Sequence, residues 1–205
     1  CLPLAIIIRI LRPLVVIRFA RLYTNRIGHF TANTEVYLCE KDAGMHGRRI
    51  LDIFYYTYRD SCCNHQLKKM WARTIVVSRF ASLVDKSNRL LPGYQKHLIP
   101  WREDHGDRDI HNLLVRTPPH LSFTPEEEHK AIDALQKLGI QDGCPFICIF
   151  SRDSAYLEEL YPQRLPEQLS YHDYRDCSIQ NYQFAAENLA QTGCYVIRMG
   201  AAVKD

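Results

Sequence analysis

Apolar and polar positions alternate in blocks along the chain, and the blocks follow a strand–helix–strand order. Val15 to Leu22 (VVIRFARL) is rich in β-branched and apolar residues and runs into Thr24-Asn25-Arg26-Ile27-Gly28-His29. That pattern predicts a strand, a loop and then a helix over about Asn33–Asp42, closed by Gly44 and Gly47. Ile50 to Tyr56 (ILDIFYY) predicts a second strand. Leu67, Met70 and Trp71 have helical spacing within 64–73, and Thr74–Val77 is again apolar. Between Asn88 and His120 four prolines and many charges predict loop with short helical pieces.

Thr124-Pro125-Glu126-Glu127 is a helix start: a capping hydroxyl, proline in the first turn, and acids on the positive end of the helix dipole. The helix should reach Leu138, with Gly139 as its stop. Pro145 to Phe150 (PFICIF) is a continuous apolar run of the kind found in buried parallel strands, and Ser151-Arg152-Asp153-Ser154 follows at once. Ser178 should cap a helix through Ala190, ended by Gly193, before a strand at Tyr195–Ile197 and then Arg198-Met199-Gly200. The expected architecture is α/β: a Rossmann-like parallel-sheet domain over 1–140, and over 141–205 the first β-α-β unit of a second, incomplete Rossmann-like domain.

A chain of 205 residues with an ordinary apolar fraction can bury a sizeable core. A net charge of +3 is too small to point to nucleic acid. Arg9, Arg12, Arg18, Arg21 and Arg26 precede the first acid, Glu35, a run that suits an anionic membrane surface or phosphates, or forms a solvated basic edge. The opening apolar run is broken by Arg9, Arg12, Pro3 and Pro13 before it reaches the ~20 residues of a spanning helix. No small-residue cleavage site follows it, so a cytoplasmic location with peripheral membrane contact is expected. The eight cysteines are expected to be free thiols, with Cys144, Cys148 and Cys194 in or beside buried strands. No CxxC pair occurs, so a structural zinc site is not expected.

In doubly wound sheets ligands bind beyond the carboxyl ends of the strands, which singles out three places. After the first strand stand Arg26, Gly28, His29 and Asn33. Gly28 permits close backbone approach, and the His29 imidazole suits proton transfer near neutral pH. After PFICIF stand Arg152, Asp153 and Ser154; the Arg152 guanidinium could grip a diphosphate or pair with Asp153 or Asp176. After the last strand stand Arg198 and Gly200. Arg175 precedes a helix start that favours anions, or belongs to a capping network with Asp176 and Ser178. His65, His97, His105, His111 and His120 have no companion spacing, and His172 is a little better placed. GxGxxG, GxxxxGK[ST], GxSxG and HExxH are all missing, which argues against the common dehydrogenase, P-loop, hydrolase and metalloprotease chemistries.

Five motifs occur in order through nearly the whole chain: Arg26-Ile27-Gly28-His29-Phe30; Cys63-Asn64 with Gln66-Leu67 and Met70-Trp71; Leu121-Ser122-Phe123-Thr124; Arg152-Asp153-Ser154-Ala155-Tyr156-Leu157; and Tyr195-Val196-Ile197-Arg198-Met199-Gly200. Together they resemble a bacterial family of glycosyltransferases with the two-domain GT-B plan, associated with surface polysaccharides. The RDSAYL portion is similar in plan to fucosyltransferases, whose H-x-R element contacts the donor nucleotide. Its arginine falls on Arg152, while its histidine falls on Phe150, a departure that leaves the sugar open.

The resemblance implies transfer of a sugar from a nucleotide-sugar donor to a glycan or lipid-linked acceptor. Arg152, Asp153, Ser154, Arg175, Arg198 and Gly200 would lie on the donor side. Arg26, Gly28 and Asn33 would line the acceptor-side loop, with His29 as catalytic base. No metal or other cofactor is implied, since positive side chains and helix dipoles stabilise the leaving diphosphate. The resemblance also implies a longer donor domain, so this stretch alone is expected to be inactive. The alternatives are a non-catalytic module that binds a nucleotide or glycan, and a scaffold at the membrane surface.

Overall fold

The computed structural model describes residues 1–57, 61–100, 108–163, 166–168, 170–200 and 202–204. It is mixed α/β and divides into two compact units, Cys1–Thr124 and Pro125–Asp205. The division falls at the start of the TPEE helix.

In the first unit α1 (Leu2–Ile10) leads into β1 (Val16–Arg21), and a π-helical turn (His29–Asn33) opens α2 (Thr34–Asp42). β2 (Ile50–Tyr55), α3 (His65–Thr74) and α4 (Ala81–Arg89) follow. β1 and β2 pair in parallel with Val16 opposite Ile50 and Arg21 opposite Tyr55. Single parallel bridges extend this pair on both sides, Phe54 to Val77 and Phe19 to Leu98.

Alternation along the strands sorts the core into two layers. Ala20, Leu22 and Phe54 face Phe30, Tyr37, Leu38, Leu67, Trp71 and Ile99. Phe19 and Tyr55, from the opposite face, meet Ile8, Ala81 and Val84 of α1 and α4. Helices therefore cover both faces of the strands. Asn64 caps α3 by accepting the Leu67 N–H at 2.8 Å, and Gly44 ends α2 with φ +73°.

The amino-terminal run folds as the nine-residue helix α1. Pro3 sits in its first turn, where no amide is needed, and Arg9 reaches the Asn88 side chain (2.9 and 3.1 Å) and the carbonyls of Asn88, Leu91 and Pro92. Arg18 is buried within the sheet. Two of the five early arginines are thus committed inside the unit, and the run does not present a continuous basic edge. Among the described residues no helix is long and apolar enough to cross a membrane.

The second unit begins with α5 (Pro125–Lys137), ended by Gly139 at φ +82°, and continues with β3 (Phe146–Ile149), α6 (Ala155–Leu160), short 3-10 turns, α7 (Gln183–Gln191) and β4 (Tyr195–Arg198). β3 and β4 pair in parallel, Phe146 opposite Tyr195 and Ile149 opposite Arg198. The order and pairing match the sequence pattern, but the expected burial of PFICIF does not hold. Phe146 is 43% exposed and Phe150 70%. The strand has one described neighbour, β4, so its apolar side chains lack the layers that would cover them. Cys148 is exposed and Cys144 and Cys194 are half-buried, correcting their expected placement in a buried sheet.

Candidate functional site

The strand ends hold the polar chemistry in each unit. At the carboxyl end of β1 the chain turns through Tyr23–Gly28 into the π-helical turn. Thr24 anchors this loop, its hydroxyl donating to the Ser61 carbonyl (3.1 Å) and its own carbonyl accepting the Cys63 N–H (2.9 Å). Phe30 is fully buried, and its carbonyl takes the Trp71 indole N–H at 2.9 Å, which fixes the turn to α3.

The half-buried His29 lies on this turn with Nδ1 3.3 Å from Oδ1 of buried Asn33. With Asn33 Oδ1 as the acceptor, the contact is made by the tautomer that carries its hydrogen on Nδ1, whose Nε2 is an acceptor. The four-residue spacing puts both side chains on one side of the turn. The Tyr23 ring flanks the imidazole with centroids 6.2 Å apart, and Arg21 stacks on Tyr23 at 5.3 Å. Arg26 is half-buried and its carbonyl accepts the Phe30 N–H. Gly28 has helical φ (−59°) and is exposed, and a Cβ there would meet nothing within 4 Å. The space above it is open, although the backbone itself does not demand glycine.

In the second unit Arg152 stands just beyond β3, and its Nη1 donates to Asp176 Oδ1 at 2.7 Å, the ion pair weighed from the sequence. The Cys177 N–H donates to the Arg152 carbonyl (2.8 Å), joining the 173–177 segment to the same strand end. Asp153 accepts the Ala155 N–H (2.9 Å) and the Lys204 N–H (2.8 Å). The Lys204 ammonium reaches the Ser154 hydroxyl (2.5 Å) and Glu158 (2.8 Å). Arg198, at the end of β4, donates to the Lys204 carbonyl.

Gly200 has φ +156°, and a Cβ there would lie 2.2 Å from Val203 Cγ1, so this position does require glycine. Arg175 is exposed and stacks on Tyr174 at 5.3 Å, while Ser178 caps the next turn through the Gln180 N–H. The structure therefore gathers Arg152, Asp153, Ser154, Arg198 and Gly200 at one sheet edge. Beside it an open groove of about 740 Å³ runs between α7 and β4, lined by Ile149, Gln183, Glu187, Val196 and Arg198 among others. His105 and the His172 side chain lie outside the described residues.

Two polar clusters escaped the sequence reading. In the first unit Arg18 Nε donates to Asp52 Oδ1 (2.8 Å), Tyr37 OH donates to Asp52 Oδ2 (2.6 Å) and Lys41 Nζ reaches the same oxygen (3.1 Å). Burial works to raise the Asp52 carboxyl, yet the hydrogen bonds from Arg18, Tyr37 and Lys41 hold it below the ordinary carboxylate range. Burial, reinforced by the bond to Asp52, drives the Tyr37 phenol far up. A charged residue in mid-strand on each side, Arg18 opposite Asp52 in register, was the available signal. The second cluster, Glu35, Cys39 and His120, spans 85 residues of sequence and left no local signal.

Comparison of the chain with protein-family models, curated proteins and solved structures finds no match. The functional reading therefore rests on the residues and their geometry.

Proposed function

We propose that the chain is part of a glycosyltransferase of GT-B plan that moves a sugar from a nucleotide-sugar donor to a glycan or lipid-linked acceptor in bacterial surface-polysaccharide synthesis. The first unit is the Rossmann-like acceptor side and the second the start of the Rossmann-like donor side. The observation that carries this reading is the His29–Asn33 pair beyond β1. Asn33 fixes the tautomer and leaves Nε2 able to take a proton.

In the proposed reaction His29 Nε2 removes the proton from an acceptor hydroxyl. The oxygen forms a bond to the anomeric carbon, and the sugar–phosphate bond breaks with its electron pair leaving on the diphosphate. Arg152 and Arg198, beyond the strands of the second unit, would take up that charge, with Arg152 exchanging Asp176 for phosphate oxygens. The same Arg152–Asp176 pair favours the second reading, a non-catalytic nucleotide- or glycan-binding module, because a guanidinium held by a carboxylate also serves structure alone.

Thermal-shift titration with a panel of nucleotide sugars, combined with assay of nucleoside diphosphate release in the presence of acceptor, tests both. Arg152→Ala should weaken donor binding by about 1.5–3 kcal/mol, the worth of a lost charged hydrogen bond, and Arg152→Lys should restore only part. His29→Ala should lower turnover by roughly 10²–10⁴-fold with donor binding intact. In the longer protein of which the chain is proposed to be part, donor binding without turnover would select the module, and donor binding indifferent to Arg152 would remove that residue from the site.

A further inference from the structure

On α2, Glu35 and Cys39 are four residues apart and present their side chains on one face, and His120 arrives there from the loop that follows 108–117. One ligand atom from each lies within 4.8 Å of the others. Three points so spaced share a centre about 2.8 Å or less from each, and small side-chain adjustment brings that to the about 2.0 Å of metal–nitrogen and metal–oxygen bonds and about 2.3 Å of metal–thiolate bonds. Glu35 Oε1 lies 3.1 Å from His120 Nδ1 and already accepts the His120 backbone N–H at 3.1 Å. The far nitrogen of the ring, Nε2, faces Asp42 Oδ2 at 3.2 Å.

That last contact is what separates a metal site from a chance grouping. A ligating histidine donates its other N–H to a carboxylate, which fixes the ring and strengthens the ligand. His120 has this arrangement, with Nδ1 turned to Glu35 and Nε2 turned to Asp42. The surroundings agree: Cys39 is buried, Glu35 and His120 are largely covered, and the carboxylates of Glu35, Asp42 and Asp109 add a field that favours a cation.

We infer that Glu35, Cys39 and His120 bind one divalent metal ion of the zinc class, with Asp42 orienting His120 and water completing the tetrahedron. A mixed carboxylate, thiolate and imidazole set selects a borderline-soft transition metal over magnesium or calcium. The ion would tie the segment carrying His120 to α2, a stabilising role distinct from sugar transfer. It departs from the expectation of no metal.

The test is titration of the chelator-treated, reduced chain with Zn²⁺ against a chromophoric competitor, and with Co²⁺ followed by absorption. One equivalent should bind, Co²⁺ should show a thiolate-to-metal charge-transfer band with tetrahedral d–d absorption, and the thermal midpoint should rise on loading. Cys39→Ser should abolish the charge-transfer band. His120→Gln should remove tight binding, and Asp42→Asn should weaken it by about 10–100-fold, the usual effect of losing an outer partner. A Cys62→Ser/Cys63→Ser chain should bind as the parent does. Absence of the charge-transfer band, or binding that survives Cys39→Ser and His120→Gln but is lost on changing Cys62 and Cys63, would overturn the inference. Circular dichroism of each variant separates loss of the ligand from loss of the fold.

Discussion

The strand pairs β1/β2 and β3/β4 are the same motif at the level of the backbone and opposites at the level of side chains. Both are parallel, both are joined through helix, and both end in arginine-bearing loops. β1 and β2 lie between helices, so Phe19 and Phe54 are buried and even the paired charges of Arg18 and Asp52 are 9% and 1% exposed. β3 and β4 carry equally apolar residues that remain open, and the ion pair beyond them, Arg152 with Asp176, is 30% and 23% exposed. An apolar strand thus specifies pairing by itself, whereas its contribution to stability depends on what covers it.

The largest effect that sharpens this contrast is expected from the two ion pairs. Asp52→Ala leaves the Arg18 guanidinium buried without its carboxylate and should destabilise the first unit by about 3–5 kcal/mol. Asp176→Ala should cost the second unit under about 1 kcal/mol, because water replaces the lost partner. Urea unfolding, with amide exchange reporting β1/β2 and β3/β4 separately, reads both. Equal losses would erase the distinction.

Next come the apolar positions. Leu22 is fully buried, and Leu22→Ala should cost about 2–5 kcal/mol, whereas Phe146→Ala, at a residue nearly half exposed, should cost about 1 kcal/mol or less. A Phe146→Ala loss as large as that at Leu22 would mean that β3 is covered in solution.

Acid should act on the first unit before the second. His97 is fully buried, with Nδ1 2.7 Å from the Ile17 carbonyl and Nε2 without a hydrogen-bond partner among the described residues. Burial lowers its basicity, and Arg9 and Arg12 add repulsion against the bond to Ile17. A base whose folded affinity for protons is depressed is neutral in both states above its unfolded value of about 6.5. Its stabilising contribution is complete there and is lost as the pH falls. Unfolding free energy of the first unit should therefore fall below about pH 6.5, and His97→Gln should flatten that slope. Asp52 has the same sign at lower pH, its stabilisation fading as acid protonates the depressed carboxyl. An unaltered slope in His97→Gln would assign the acid sensitivity elsewhere.

The smallest effect concerns the turn that carries His29. Trp71→Phe removes the indole hydrogen bond to the Phe30 carbonyl and should cost about 1 kcal/mol, visible as faster exchange of the amides at 29–34. Among the described residues no hydrogen bond from a buried ring anchors the corresponding loop beyond β3, which should exchange fast in the parent. Unchanged exchange in Trp71→Phe would show that Phe30 packing alone holds the turn.

The strands and the glycine stops at 44, 139 and 193 were legible because each depends on a few adjacent residues. α4 was missed because its inner face ends in Asp85 and Asn88, which are buried as polar residues and cut short the apolar stripe that marks a helix. α1 was masked by Pro3, harmless in a first turn, and by Arg9, whose partners lie about eighty residues away. Burial of PFICIF was misjudged since covering a strand takes neighbours its own sequence does not reveal. His29 and Asn33 could be proposed from a glycine-containing loop after a strand, but that one orients the other became visible only with the π-helical turn. Glu35, Cys39 and His120 come together only when the loop folds back on α2.

That turn also limits how the chain can diverge. A π turn holds one residue more than an α turn, so deleting one residue between Thr31 and Asn33 would swing every side chain before the cut by about 100° around the helix axis. His29 would leave Asn33, and Phe30, one position later and fully buried, would leave the core with it. Shortening this stretch therefore forfeits the fold together with the imidazole's position. Point substitution at 29 discards the imidazole and keeps the domain, so variants lacking the histidine should have the same loop length as those that retain it.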